Sequence, residues 1–217
     1  MSTEDLEGKA FELSGGALCL DFVNTLGDRP RRSQEGLRSY GDLLLWALEA
    51  KVVTVADGRR LLRQARRAPR EAEAVLARAV VLRECLYDTI APIAAGSEPP
   101  PDAVARLRVH VTQLLSRLRL APRARGLEWR LLPEPGALDA MLPPVVRSAL
   151  ELLTGSESER VRECGSPVCS WLFVDRSRTH RRRWCDMKVC GNRAKARRYY
   201  ARRRGAVRPA GTLRGAS

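Results

Sequence analysis

The sequence predicts a mainly α protein: a helical N-terminal domain followed by a small, cysteine-stapled β-hairpin plus a basic helix. Three observations carry that prediction. Apolar residues before about position 155 recur mostly at helical spacing. Cys164, Cys169, Cys185 and Cys190 form two C-x4-C pairs with fifteen residues between them. Finally, the charge is segregated. Residues 160–217 hold seventeen Lys/Arg against three Asp/Glu, whereas residues 1–159 hold twenty-two of each, so the whole formal net charge of +14 lies in the cysteine-bearing segment.

The elements follow in order along the chain. Gly15-Gly16 breaks the chain ahead of a mostly apolar run, in which Leu18, Asp21, Phe22 and Thr25 predict a buried first helix over 17–26. A polar, basic loop over 27–32 separates it from a helix over 39–49, where Leu43, Leu44, Trp46, Ala47 and Ala50 make one apolar face. Thr54 reads as the N-cap of a helix reaching about Arg67. Residues 69–93 read as a long helix with Val75, Ala79, Leu82 and Leu86 on one stripe. Gly96 through Pro101, with three consecutive prolines, interrupts it. Asp102 is expected to cap a further helix through about Leu120, residues 127–132 read as a short strand, and 143–153 return to helical periodicity. The breaker-rich run 154–159 coincides with the charge shift. The expected division is therefore a helical domain over 1–155, a cysteine module over 156–204 and a disordered basic tail over 205–217.

Composition bounds the class. At 217 residues with 44% hydrophobic and 5% aromatic content, the chain can hold one ordinary domain plus a small appendage, with a core resting on Leu, Val and Ala. No window approaches eighteen uninterrupted apolar residues, and Met1-Ser2-Thr3-Glu4-Asp5 lacks the pattern of a signal peptide. A cytoplasmic, nucleoid-associated location is expected, where reduced thiols favour metal over disulfides. Cys19 and Cys85 stand alone in apolar surroundings and read as core residues.

Two closely spaced cysteine pairs suit a tetrahedral Zn2+ site of four thiolates, one structural ion held by Cys164, Cys169, Cys185 and Cys190. Two disulfides or four free thiols are the alternatives. Gly165 and Gly191 follow the first and last ligands and permit tight turns. The stretch 171–184 reads as a β-hairpin turning near Ser177 and Thr179, with Trp171, Phe173 and Trp184 as its small core. His180 reads as a loop residue, since four cysteines complete the tetrahedron. Beyond it, AKARRYYARRR is strongly helical, with Asn192 as the expected N-cap. Like charges at i, i+4 on such a helix repel, and phosphates would relieve that repulsion.

Residues 160–204 resemble the CGNR zinc finger, through the four cysteines, the C-W-L-F-x-D-x-S segment from 169, the R-R-W-C-x-M segment from 182 and the C-G-N-R-x-K-x-R run from 190, apart from Ser170 inserted directly after Cys169. The first half resembles the accompanying ABATE domain through Leu20-Asp21-Phe22-Val23-Asn24-Thr25 and Leu82-Arg83-Glu84-Cys85-Leu86-Tyr87. The resemblance implies a bacterial, stress-linked transcription regulator whose finger binds DNA.

On that reading Asn192, Arg193, Lys195, Arg197, Arg198 and Arg202 contact phosphates or base edges, with Arg181, Arg182 and Arg183 as a second phosphate clamp. Double-stranded DNA is the expected partner and a homodimer on paired half-sites a further expectation. The alternatives are RNA, on whose bases Tyr199, Tyr200 and the tryptophans would stack, and an acidic protein partner. Asp21, Asn24 and Thr25 sit within an apolar run and either find structural partners, with Arg83 or Arg147 proposed for Asp21, or line a pocket for a small-molecule effector. The sequence has no Gly-rich phosphate loop, serine elbow or His/Glu metal helix, and only two histidines, so an enzyme is not expected.

Overall fold

The computed structural model describes residues 11–29, 31, 34–131 and 137–206, with side chains described to 130 and from 137 to 201. Its contacts divide the chain into two units, Met1–Cys185 and Asp186–Ser217. It is mainly α, as the sequence predicts.

The first unit is built on a buried helix. α1 (Leu18–Val23) places Cys19, Leu20, Phe22 and Val23 in the core. β1 (Leu26–Gly27) and β2 (Gln34–Glu35) then form a minimal antiparallel pair, so the first helix ends at Val23, short of the Leu26 that the sequence suggests. α2 (Tyr40–Glu49) starts with a reciprocal cap: Ser39 Oγ accepts from the Asp42 N–H, while the Asp42 carboxylate accepts from the Ser39 N–H. Its Trp46 packs on Phe22 with ring centroids 4.9 Å apart. α3 (Val55–Arg67) is capped by Thr54, which accepts from the Asp57 N–H at 3.1 Å.

α4 (Pro69–Ala94) is the hub, packing against α1, α2, α3, α5 (Pro101–Arg117) and α6 (Leu142–Thr154). Its buried residues Ala72, Val75, Ala79, Leu82, Leu86 and Ile90 repeat every three or four positions, so one stripe faces the core along its length. Arg83 is 1% exposed on this stripe, and its charge is matched. It donates to both Glu35 oxygens at 2.7 and 2.8 Å, to Glu84 at 2.8 Å and to Thr25 Oγ1 at 3.3 Å. Arg29 joins the network through Glu84 and lies over the Tyr87 ring. A buried guanidinium needs such complete pairing, because an uncompensated charge in the interior is costly.

α5 ends three residues earlier than the sequence suggests. From Leu118 the chain alternates, and Pro122 disfavours helix at Ala121. The result is a hairpin of β3 (Leu118–Arg123) and β4 (Gly126–Leu131). Asp102 does not cap α5, which has no side-chain cap, but pairs with Arg106 one turn on. Among the described residues, no helix is long and apolar enough to cross a membrane.

After α6, a 3-10 turn (Ser158–Arg160) leads into β5 (Val161–Glu163), which pairs antiparallel with β6 (Leu172–Val174). Val161, Leu172 and Val174 belong to the same apolar cluster as the helices. The second unit is a π-helical turn (Met187–Gly191) running into α7 (Asn192–Ala206). Helix therefore extends into Gly205 and Ala206 of the expected disordered tail, and 207–217 lie outside the described residues.

Candidate metal centre

The first cysteine pair brackets the turn between β5 and β6. Cys164 follows Glu163 directly, and its N–H donates to Trp171 O at 2.8 Å, extending the ladder by one rung. The turn closes with Cys169 N–H on Ser166 O at 3.1 Å. Ser170, next to Cys169, has φ 58°, in the left-handed region that favours glycine. Sequence inspection gives no sign of this strain; the structure places it at the bend that turns the chain from Cys169 back into β6.

The body of the protein holds this turn from the other side. The Asn24 side chain reads the Leu172 backbone in both senses, donating to its O at 2.9 Å and accepting from its N at 2.9 Å. Val174 N–H donates to Gly15 O, and Asp28 N–H donates to Cys169 O. Gly16, at φ 82°, lets the chain pass beside Val174.

The chain returns to Cys185 around Asp175, not through a second strand. The expected hairpin across 171–184 is thus replaced: β6 pairs backwards with β5, ahead of the first cysteine. Asp175 is fully buried and accepts from the N–H groups of Ser177 at 2.9 Å and Arg182 at 2.8 Å. Burial raises its pKa, but these donors outweigh burial and hold it below the usual carboxylate range. His180, at φ 50°, is exposed, with Nδ1 3.1 Å from Asp175 O. Gly165 is needed for a close approach: its N–H donates to Arg183 O, and a Cβ there would lie 3.2 Å from that oxygen. Of the three aromatic residues expected as a core, Phe173 is fully buried, while Trp171 and Trp184 are half-buried.

The thiol sulfurs of Cys164, Cys169, Cys185 and Cys190 all lie within 4.8 Å of one another, and all four residues are buried. Cys169 and Cys185 sulfurs are 3.6 Å apart, and no disulfide links any of the six cysteines. Such a cluster fits a cation. Hydrogen bonds from Cys169 and Cys185, helped by N–H groups of Cys185 and Ser166, pull the Cys164 thiol far below its ordinary pKa. The same contacts push Cys185 far above it, because further anions at this spacing repel. Four thiolates therefore coexist only around a positive ion, and four soft sulfurs in a buried tetrad suit zinc. The centre is a structural zinc site of four cysteines. With four protein ligands the ion has no open position, so it supplies cross-linking rather than chemistry. Cys19, by contrast, sits deep in the helical core, where burial pushes its thiol up to about 12 and keeps it protonated.

In the second unit, Asp186 begins the helical turn: its carboxylate accepts from the Lys188 and Val189 N–H groups. The cap falls six residues before the expected one. Asn192 itself has helical φ/ψ of −67° and −40° and is exposed, so its amide does not serve as the cap. Arg193, Lys195, Arg197 and Arg198 are exposed on α7, Ala194 is buried, and the Arg202 side chain lies outside the described residues. Among the residues read as a second phosphate clamp, Arg181 and Arg183 are exposed. Arg182 has another task. It donates to Trp184 O and Cys185 O and lies over the Phe173 ring at 4.6 Å, bracing the return loop.

Asp21, Asn24 and Thr25 all have partners within the protein. Asp21 accepts from Gly15 N–H at 2.8 Å; neither Arg83 nor Arg147 is its partner, since Arg83 pairs with Glu35 and Glu84 and Arg147 with Glu151. Thr25 Oγ1 donates to Phe22 O and accepts from Arg83, and Asn24 is occupied by Leu172.

Four buried cysteines gathered in this way define a zinc-binding protein. Residues 160–203 match the family described as "CGNR zinc finger", and residues 16–156 match ABATE, described as "Putative stress-induced transcription regulator". The chain belongs to the ABATE family and carries a CGNR zinc finger. No curated protein matches the chain.

Proposed function

We propose that this protein is a zinc-dependent, non-catalytic transcription regulator that binds double-stranded DNA through α7 and acts in the cytoplasm on the nucleoid. The observation that carries the reading is the unbalanced charge of the C-terminal segment: residues 187–217 contain ten Lys/Arg and no Asp or Glu. On α7 the cationic side chains described at Arg193, Lys195, Arg197 and Arg198 are exposed. Such a helix is stabilised by phosphates, which remove its internal repulsion and release counterions. Asn192 and Arg193 stand at its start, and Asn and Arg are the side chains suited to bidentate base-edge contacts. Arg181 and Arg183 supply further phosphate contacts. A small-molecule effector and a dimer on paired half-sites complete the reading.

The exposed, edge-on Tyr199–Tyr200 pair, with centroids 5.5 Å apart, favours a second reading in which α7 stacks on unpaired RNA bases. One titration separates the two. Zinc-loaded protein is titrated into labelled random duplex, with single-stranded RNA as competitor and a chelated control. Zinc-dependent binding that RNA displaces poorly, with a log–log salt slope of about −0.9 per phosphate contacted, is expected. Preference for RNA, or a flat salt response, overturns the DNA reading.

A further inference from the structure

Away from the zinc centre, α4, α5 and α6 enclose a cleft of about 510 Å³. Its floor is apolar, formed by Leu82 of α4, Leu114 of α5, and Leu142 and Val146 of α6. Val81, 58% exposed, stands at its mouth. The volume falls in the range of roughly 300–1,000 Å³ that accommodates small organic ligands.

The polar groups in this cleft are not balanced. Arg78 and Arg117 both reach a single carboxylate, Asp139, at 3.8 and 3.2 Å. His110 also lines the cleft, and burial lowers its pKa, so it adds no second negative or compensating charge. Among the described residues of the cleft, two guanidinium groups against one carboxylate leave one positive charge in excess. The mismatch is also local to an atom. Arg117 uses one terminal nitrogen on Asp139, while its buried Nε has no hydrogen-bond partner among the described residues. A buried donor without an acceptor is costly, and the edge of a guanidinium is shaped to receive the two oxygens of a carboxylate.

We infer that this cleft is a binding site for an organic monocarboxylate with an apolar body, its carboxylate set against the Arg117 guanidinium and its hydrocarbon on Leu82, Leu114, Leu142 and Val146. Nothing in the sequence pointed here, because the residues come from three helices and a connecting turn. The site deepens the effector-sensing part of the proposed function and rests on that reading only for its purpose. α4 supplies both a wall of the cleft and the surface on which β5 packs, immediately before Cys164.

The test is calorimetry and ligand-observed NMR on the full zinc-loaded chain, without DNA, so that its outcome is independent of whether α7 binds nucleic acid. The probes are 4-phenylbutyrate, octanoate and indole-3-acetate, each beside its neutral primary amide. At least one acid is expected to bind saturably, and its amide at least about tenfold more weakly, as loss of a charged hydrogen bond predicts. Arg117→Gln is expected to weaken the acid by about tenfold or more. Because Arg117 also braces Asp139, Val81→Trp provides a second variant at an exposed position, and it is expected to block binding by filling the mouth. Equal affinity for acid and amide, binding unchanged in Val81→Trp, or no saturation with any of the three acids overturns the assignment.

Discussion

Replacing Asn24 with alanine removes the side chain that ties α1 to β6. Asn24 is 4% exposed and makes two hydrogen bonds to one residue, to Leu172 O and from Leu172 N–H, each at 2.9 Å. A net hydrogen bond contributes about 0.5–1.5 kcal/mol, while a buried group left without its partner costs about 1–3 kcal/mol. Here both polar groups of a fully buried residue lose their partner together, and water has little room to replace it. The expected loss is about 2–4 kcal/mol, which for a chain of this size lowers Tm by roughly 5–15 °C. The assay is urea and thermal unfolding of zinc-loaded protein, read by circular dichroism, with zinc release followed by a colorimetric chelator in parallel. Zinc release is expected to quicken, because Leu172 lies in the strand that follows Cys169. Asn24→Asp is no rescue: it keeps an acceptor for the Leu172 N–H but sets a second oxygen against the Leu172 carbonyl. A loss under about 0.5 kcal/mol with unchanged zinc release would refute the structural role and return Asn24 to the pocket reading.

Cys185→Ser is expected to abolish stoichiometric zinc binding and nucleic-acid affinity, while far-ultraviolet dichroism of the helical core persists; full zinc content by atomic absorption would contradict the four-thiolate centre. Asp21 has its carboxyl raised from 3.8 to about 6, chiefly by burial, with the Gly15 N–H opposing. A raised acid binds its proton more readily in the folded state, so stability rises as pH falls from about 6 towards 4. Asp21→Asn should therefore gain about 1–3 kcal/mol at pH 7 and nothing below pH 4, and a pH-independent difference in denaturation midpoint would refute this. Ser170→Gly should stabilise by about 0.5–1 kcal/mol by relieving φ 58°, whereas Ser170→Val should destabilise; the two unfolding curves, compared with wild type, decide it.

The legible parts of the sequence were those in which local chemistry acts over one or two turns. Thr54 has an acid three residues on, and the pair caps α3 as expected. The stripe of α4 was visible because its burial repeats along the whole helix. The four cysteines declared their ligand set by spacing and residue type, and the structure gathers them. Illegible features depend on partners distant in sequence. β5 has only Val161, Arg162 and Glu163, too short for a periodic signal, and its identity depends on Leu172–Val174 and the core beneath. Asn24 reads like a pocket residue because its partner, 148 residues away, is a backbone. Asn192 looked like the cap of α7 because asparagine is a favoured N-cap residue and a run of helix formers follows it, but the π-helical turn carries the helical conformation upstream to Asp186. Arg182 sits in a run of three arginines that charge alone cannot distinguish, and only geometry separates the brace from its exposed neighbours.

The turn between β5 and β6 also imposes an order of assembly. Its two sulfurs are positioned by a ladder, an asparagine and an apolar core, none of which involves metal. Part of the coordination sphere is thus rigid as soon as the helical body folds, and an incoming ion meets a prepared pair of ligands and not a loose loop. Capture begins at Cys164 and Cys169, and closure then requires the later-made Cys185 and Cys190. For a chain synthesised from its N-terminus, Cys185 and Cys190 leave the ribosome after the pair they join. A chain that stops short of Cys185 presents the first pair of thiols but lacks the second pair needed to complete the four-thiolate site.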